Sequence, residues 1–465
     1  MVSGEWSLFT THHSLHSILF VPPALRRQLT LSPPSTPLHS LQAPQRRQPA
    51  AMDPHAAMQN IIIEKPYQFV PPHHGTFWSW LIKLAGVPAW QLRKAEGVVA
   101  HEIRGIERLR ESIAAGHGIL LTPNHPRTAD PVAFGLLADQ VPCHVFAMAS
   151  WHLFHQGWVN AWVIRMMGGF SVNREGVDRQ AITTAIDLLT AARRPLIIFP
   201  EGATSRINDR LQALLDGVAF IARSAAKKRA RHSPPGKVVV HPVGIKYRFS
   251  GDIHKVADEV LTDIERRFTW QPQRDLPLLL RIGKVGSALL GLKEIEYFGQ
   301  IQPGRLGDRL RGLMDHLLGP IEQEWLGAVQ TGKVVPRVRN LRVKILPDMV
   351  AGRVDKAERA RRWKHLADIY LAQQLSCYPP DYLAQNPSVD RVLEIIEKFE
   401  EDLFDKARRH GHLKVILQIA PAIEVSPERV RGVSIDPLMV EIEQSLQQMI
   451  DELARESLPL ESPMP

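Results

Sequence analysis

The string Thr122-Pro123-Asn124-His125-Pro126-Arg127-Thr128-Ala129-Asp130-Pro131 sets an imidazole five residues ahead of a carboxylate. A His whose far ring nitrogen is held by an Asp suits general-base chemistry. It takes the proton of an attacking hydroxyl, while the carboxylate fixes the tautomer and stabilises the imidazolium that develops. Spacing alone does not establish this, because about one His-x4-Asp pair is expected by chance in a chain of this length and composition. Asp130 before Pro131 is also a good helix N-cap, in which case the carboxylate would satisfy backbone N–H groups instead. The surrounding elements and strings have to decide.

Between about residues 100 and 250, short apolar runs alternate with helix-like stretches, the pattern of an α/β fold whose mostly parallel or mixed sheet is flanked by helices. Strands are expected at Gly118–Thr122, Cys143–Ala149, Phe170–Asn173, Leu196–Pro200 and Val238–Ile245. Helices are expected at Ile103–Ala115, Pro131–Asp139, Asp178–Ala192 and Asn208–Ala226, with Ile182, Ala185, Ile186 and Leu189 at helical spacing. In such folds the loops after the strands carry the chemistry, and the His125 loop is one of them.

Three further strings follow in order: Gly168-Gly169-Phe170-Ser171-Val172-Asn173-Arg174, then Phe199-Pro200-Glu201-Gly202-Ala203-Thr204-Ser205-Arg206, then Val240-His241-Pro242-Val243-Gly244-Ile245. Together with the Asn-His-x4-Asp loop they resemble the glycerolipid acyltransferase family, which includes glycerol-3-phosphate and 1-acylglycerol-3-phosphate acyltransferases. The resemblance covers roughly residues 95–250.

It implies that His125 is the general base and Asp130 its orienting partner, acting on the hydroxyl of a phosphorylated glycerol acceptor. Acyl-CoA or an acyl-carrier protein would be the donor, with no cofactor and no metal. It further implies that Gly169, Arg174, Glu201, Gly202 and Arg206 bind the acceptor, and that Pro242 serves the acyl-donor side or packing. A guanidinium matches a phosphate bidentately, which suits Arg174 and Arg206. Glu201 would bond a glycerol hydroxyl or brace those arginines, and Gly202 would supply unusual backbone angles. Donors for the tetrahedral oxyanion are expected from N–H groups at the helix start near Pro131. Three positions depart from the family pattern: Asn173 where Asp is common, Ala203 delaying Arg206, and His241 before Pro242. They bear on the acceptor headgroup more than on the reaction.

The net charge of +9 favours anionic partners. The motif blocks rank the phosphorylated acceptor first, then a phospholipid surface and coenzyme A phosphates. No nucleic acid is expected, because the basic residues are scattered and no aromatic-basic stacking motif occurs. The two cysteines, Cys143 and Cys377, stand far apart, which fits a reducing compartment and excludes a disulfide framework. No run of 18 apolar residues exists to span a bilayer. The Trp-rich stretch from Thr76 to Trp90 and the segment Gln140–Ile164, free of Asp, Glu, Lys and Arg, read either as contacts with a membrane surface or as core helices. The expectation is a peripheral or monotopic protein on the cytoplasmic side of a membrane. Arg223, Lys227, Lys228, Arg229, Arg231 and His232 read as a solvated helix end or as a seat for lipid or coenzyme A phosphates.

The expected organisation is a disordered tail or overlong start at 1–58, an amphipathic membrane-contact segment at 59–98, an acyltransferase domain at 99–250, and a helix-rich accessory region of unknown role at 251–465. In that last region helices are expected at Val392–Arg409 and Leu438–Ala454 and strands at Leu341–Leu346 and Leu413–Ile419. No repeat or catalytic motif is evident there.

Overall fold

The computed structural model describes residues 62–461 apart from 142, 385–386, 405, 429–431 and 433–434. The tail read at 1–58 lies outside these residues. The first helices are α1 (Phe77–Leu84) and α2 (Val87–Glu96), followed by β1 (Val98–Arg104), α3 (Ile106–Ala114) and β2 (Gly118–Pro123). Next come α4 (Asp130–Ala133), a 3-10 turn, β3 (Phe146–Ser150), α5 (Trp158–Met166), β4 (Gly169–Val172), α6 (Arg179–Ala191) and β5 (Leu196–Ile197). Then α7 (Gly217–Arg229) leads into β6 (Val238–Phe249).

The strands form one sheet in the order β1, β7 (Leu413–Ile419), β6, β2, β5, β3, β4, with the short β8 (Ile423–Glu424) beside β6. Strands β6, β2, β5, β3 and β4 run parallel to one another, while β7 is antiparallel to β6 and parallel to β1. Both faces are covered, which is why β2 and β6 read as largely apolar runs. Ile119 and Leu121 face one core with Val243 and Ile245, whereas Leu120 faces the other with Val240. The second face is closed by α6, α7 and α14 (Pro437–Ala454).

Residues 99–250 and the rest of the chain therefore share one sheet, since β7 and β8 come from beyond residue 410 and β7 separates β1 from β6. Three expectations are corrected. Residues Leu341–Leu346 form no strand but lie inside helix α11 (Val334–Val350), where Val338, Leu341, Ile345 and Met349 recur at helical spacing on the buried side. The helix expected from Ile103 starts at Ile106, after edge strand β1, whose partner is more than 300 residues away in sequence. The helix expected from Asn208 starts at Gly217. Asn208 is instead held by the Tyr247 backbone (Oδ1 accepting at 3.0 Å, Nδ2 donating at 3.0 Å) and the Leu215 N–H reaches Pro200 O at 2.8 Å, bonds that compete with a helix.

Between β6 and β7 lie α8 (Ile253–Arg267), α9 (Leu278–Phe298), α10 (Leu306–Leu326), α11, α12 (Lys356–Leu375) and α13 (Val389–Phe404). A repeat absent from the sequence reading emerges here. Near the end of each of α8, α9 and α10 stands a buried Glu: Glu265, Glu294 and Glu322. Each accepts from the backbone N–H of a Gln eight residues on (Gln273, Gln302, Gln330) at 3.1, 3.1 and 2.9 Å. Each is also gripped bidentately by an Arg of the next helix: Arg281 at 3.1 and 2.7 Å, Arg309 at 3.0 and 2.6 Å, Arg337 at 2.8 and 2.9 Å. The clasps fix three successive helix junctions, the first in the core beside the sheet and the later ones around an apolar cluster that includes Leu313, Leu341, Trp363 and Leu366.

Candidate active site

The loop leaving β2 is fixed at several points. Asn124 is latched to β6, its Oδ1 accepting from Ile245 N–H at 2.6 Å and its Nδ2 donating to Ile245 O at 3.0 Å. The His125 N–H donates to Glu201 Oε1 at 2.6 Å, and its carbonyl accepts from Ser205 N–H at 2.9 Å. Its ring stacks on Phe199, centroids 4.1 Å apart. These contacts leave the imidazole one place to go, with Nδ1 2.8 Å from Asp130 Oδ2 and Nε2 3.3 Å from Thr204 Oγ1.

Asp130 is completely buried and does not cap α4. Its cap position is Ala129, and the carboxylate turns back to accept from Arg127 N–H at 3.0 Å and from Tyr247 Oη–H at 2.7 Å. Burial pushes the Asp130 carboxyl above the usual range, while His125, the Arg127 amide and Tyr247 pull it back. Burial and the Asp130 charge hold the Tyr247 phenol well above its ordinary value, so it stays a donor. Arg127 stands over the Tyr247 ring and is itself held by Glu397 at 2.6 Å and Glu96 at 3.1 Å. Sequence reasoning missed Tyr247. It lies two residues beyond Ile245 on the same face of β6, a phenol in an apolar row, and that was the available signal.

The expected acceptor residues divide. Arg174, Gly202, Arg206 and Gly169 line, with His125, a cavity of about 1210 Å³ whose walls also include Ile164, Met148, Val172 and Phe199. Arg174 Nη1 donates to Gly202 O at 2.6 Å, and Gly202 has φ +69°, a conformation that favours glycine. Burial and then the neighbouring Arg342 push the Arg174 guanidinium below its usual range. Arg206 is ion-paired with Glu401. Gly169 acts through its missing side chain, since a Cβ there would stand 2.5 Å from Ile164 Cγ2. Glu201 is buried outside the cavity wall and accepts from the N–H groups of His125 and Gln212, at 2.6 and 3.0 Å. Burial pushes its carboxyl up to about 7. It braces the His125 loop.

The oxyanion donors expected at the start of α4 are spent. The N–H of Asp130 donates to Arg127 O, and those of Val132 and Ala133 to Ala129 O. The departures from the family pattern resolve into local structure. Asn173 Oδ1 accepts from Glu175 N–H at 3.0 Å, and His241 is buried away from the cavity between Ser112 Oγ and Ala420 O, each at 2.9 Å. In the basic cluster, Arg229 is buried and ties Gly116, Thr190 and Lys237 carbonyls at 2.7, 2.8 and 2.9 Å, while Arg223 and Lys227 line the cavity.

Among the described residues no helix is long and apolar enough to cross a membrane. No curated protein matches the chain. Residues 101–246 match the family model described as Acyltransferase. Over those residues the chain thus carries an acyltransferase domain, and acyl transfer is the class of reaction that this domain supports.

Proposed function

We propose that the chain moves a fatty acyl group from acyl-CoA, or an acyl-carrier protein, to the free hydroxyl of 1-acylglycerol-3-phosphate. The observation that carries this reading is the hydrogen-bonded series Tyr247, Asp130, His125, ending at a ring that lines a large cavity. His125 Nε2 takes the proton of the acceptor hydroxyl as its oxygen attacks the thioester carbonyl. Asp130, bonded at Nδ1, fixes the tautomer and balances the positive ring. The proton then passes to the leaving thiolate. Apolar walls accommodate acyl chains, and Arg174 receives the acceptor phosphate.

The substrate would be met at a membrane surface. Phe77, Trp80 and Leu84 of α1 and Trp158 and Trp162 of α5 are exposed, and Trp78 packs edge-on against Trp162 with centroids 4.8 Å apart. Ile82 and Ile164, from the same two helices, line the cavity, so the apolar patch and the site share walls. A patch of this kind suits the headgroup layer of the cytoplasmic leaflet.

The test supplies purified protein with long-chain acyl-CoA and a panel of acceptors, glycerol-3-phosphate and several lysophospholipids among them, and follows product by mass spectrometry. Transfer to the phosphorylated acceptor is expected, falling by at least about a hundredfold in His125→Ala. Equal product from both proteins removes His125 from the mechanism. No product from either, with tight vesicle binding, favours a non-catalytic lipid-binding scaffold.

A further inference from the structure

The helical segment between β6 and β7 also reaches the cavity, through Arg342 of α11 and Tyr370 of α12. Arg342 is 6% exposed, yet its Nε and Nη2 have no hydrogen-bond partner, and its closest carboxylate contact is Nη1 to Glu175 Oε1 at 4.0 Å. The contrast lies five residues away on the same helix, where Arg337 is clasped by Glu322, as Arg281 and Arg309 are by their own glutamates. At each of these three clasps the chain supplies a carboxylate to both arms of the guanidinium. At Arg342 it does not, although a buried cation with unpaired N–H groups is costly.

Arg174 stands on the other side of the same feature. It too lines the cavity, its hydrogen bond goes to a neutral carbonyl, and of the charges around it that of Arg342 acts on it most strongly. Two guanidiniums that repel each other, one with its N–H groups unspent, are stabilised together by a dianion placed between them.

We propose that Arg342, from the helical segment, joins Arg174 to form the seat for the phosphate monoester of the acyl acceptor. Coenzyme A carries a phosphate monoester too. The acceptor is favoured because Arg174 is anchored on Gly202 O, in the loop whose Thr204 contacts the His125 ring. The identity of the phosphate's carrier rests on the acyl-transfer reading above, whereas the seat itself does not.

The experiment compares the full-length wild type with Arg342→Gln and Arg342→Lys. In steady-state assays KM for 1-acylglycerol-3-phosphate should rise about tenfold or more in Arg342→Gln, with kcat and KM for acyl-CoA within about twofold and partial rescue by Lys. A rise confined to KM for acyl-CoA assigns the seat to the donor and overturns the proposal. Thermal unfolding supplies a readout independent of turnover. Inorganic phosphate should raise the wild-type Tm saturably and leave that of Arg342→Gln unmoved, while the ligand-free variant should melt no lower than wild type. Equal phosphate response in both proteins, or none in either, overturns the seat, and a lower ligand-free Tm with unchanged kinetics assigns Arg342 a structural role. Should the wild type acylate no phosphorylated acceptor, the functional reading fails and the phosphate titration still decides the seat.

Discussion

Tyr247→Phe removes one oxygen from the site and little else. The ring remains packed in the core and beneath Arg127, but Asp130 Oδ1 loses a donor 2.7 Å away. Both residues are buried, so solvent does not replace the bond. A hydrogen bond to a buried charge contributes about 1.5–3 kcal/mol, and about 1.4 kcal/mol corresponds to one pK unit. The Asp130 carboxyl, already raised by burial, should therefore climb further in the variant. The sign follows: the carboxylate is protonated earlier as pH falls, and His125 loses the charge that supports its protonated form. In a profile of kcat/KM between pH 5 and 9, followed by release of free thiol from acyl-CoA, the acid limb should move upward, and on that limb the variant should fall about tenfold or more below wild type. At the alkaline end, where Asp130 is ionised in both proteins, the rates should converge to within about tenfold. An unmoved acid limb with unchanged kcat/KM throughout would refute the role assigned to Tyr247.

Gly202→Ala forces a side chain into a left-handed conformation with Leu215 Cδ1 2.7 Å from the new Cβ, and should cost about 1–2 kcal/mol, read as a Tm lower by several degrees together with a higher acceptor KM. Glu201 titrates near 7 in the folded chain against 4.5 ordinarily, so the native state holds an extra proton between those values and gains stability as pH falls through them. Glu201→Gln, neutral throughout, should flatten that dependence by on the order of 3 kcal/mol between pH 8 and pH 5, and an unaltered slope in urea denaturation would contradict the assignment. Glu294→Leu alone strands the buried Arg309 guanidinium and should cost about 3–5 kcal/mol in urea titration, whereas Glu294→Leu with Arg309→Leu should recover most of the loss.

Much of the central sheet and the His125 loop was legible in the sequence. Strands β2 and β6, covered on both faces, show as largely apolar runs, and the loop's motif lies in consecutive residues. What was hidden depends on partners distant along the chain. Strand β1 alternates only weakly, because it is an edge whose single partner lies beyond residue 410. Tyr247 and Arg342 matter for what they face, and composition cannot reveal that two nitrogens of a guanidinium lack a hydrogen-bond partner. The clasps escaped notice because only Glu, Gln and Arg recur, and the Glu-to-Arg interval shifts between 16 and 15 residues within unrelated filler. Leu341–Leu346 misled because a buried helix segment and a core strand are equally apolar over six residues.

The clasped junctions make the helical segment a braced insertion. Each unit, repeating every 28 or 29 residues from Glu265 through Glu294 to Glu322, carries its own fastening and leans on its neighbours. The segment leaves the sheet at β6 and returns to it through α13, which packs in the same core as α8. The proposed phosphate seat at Arg342 would then inherit its rigidity from three ion pairs whose members stand outside the cavity lining.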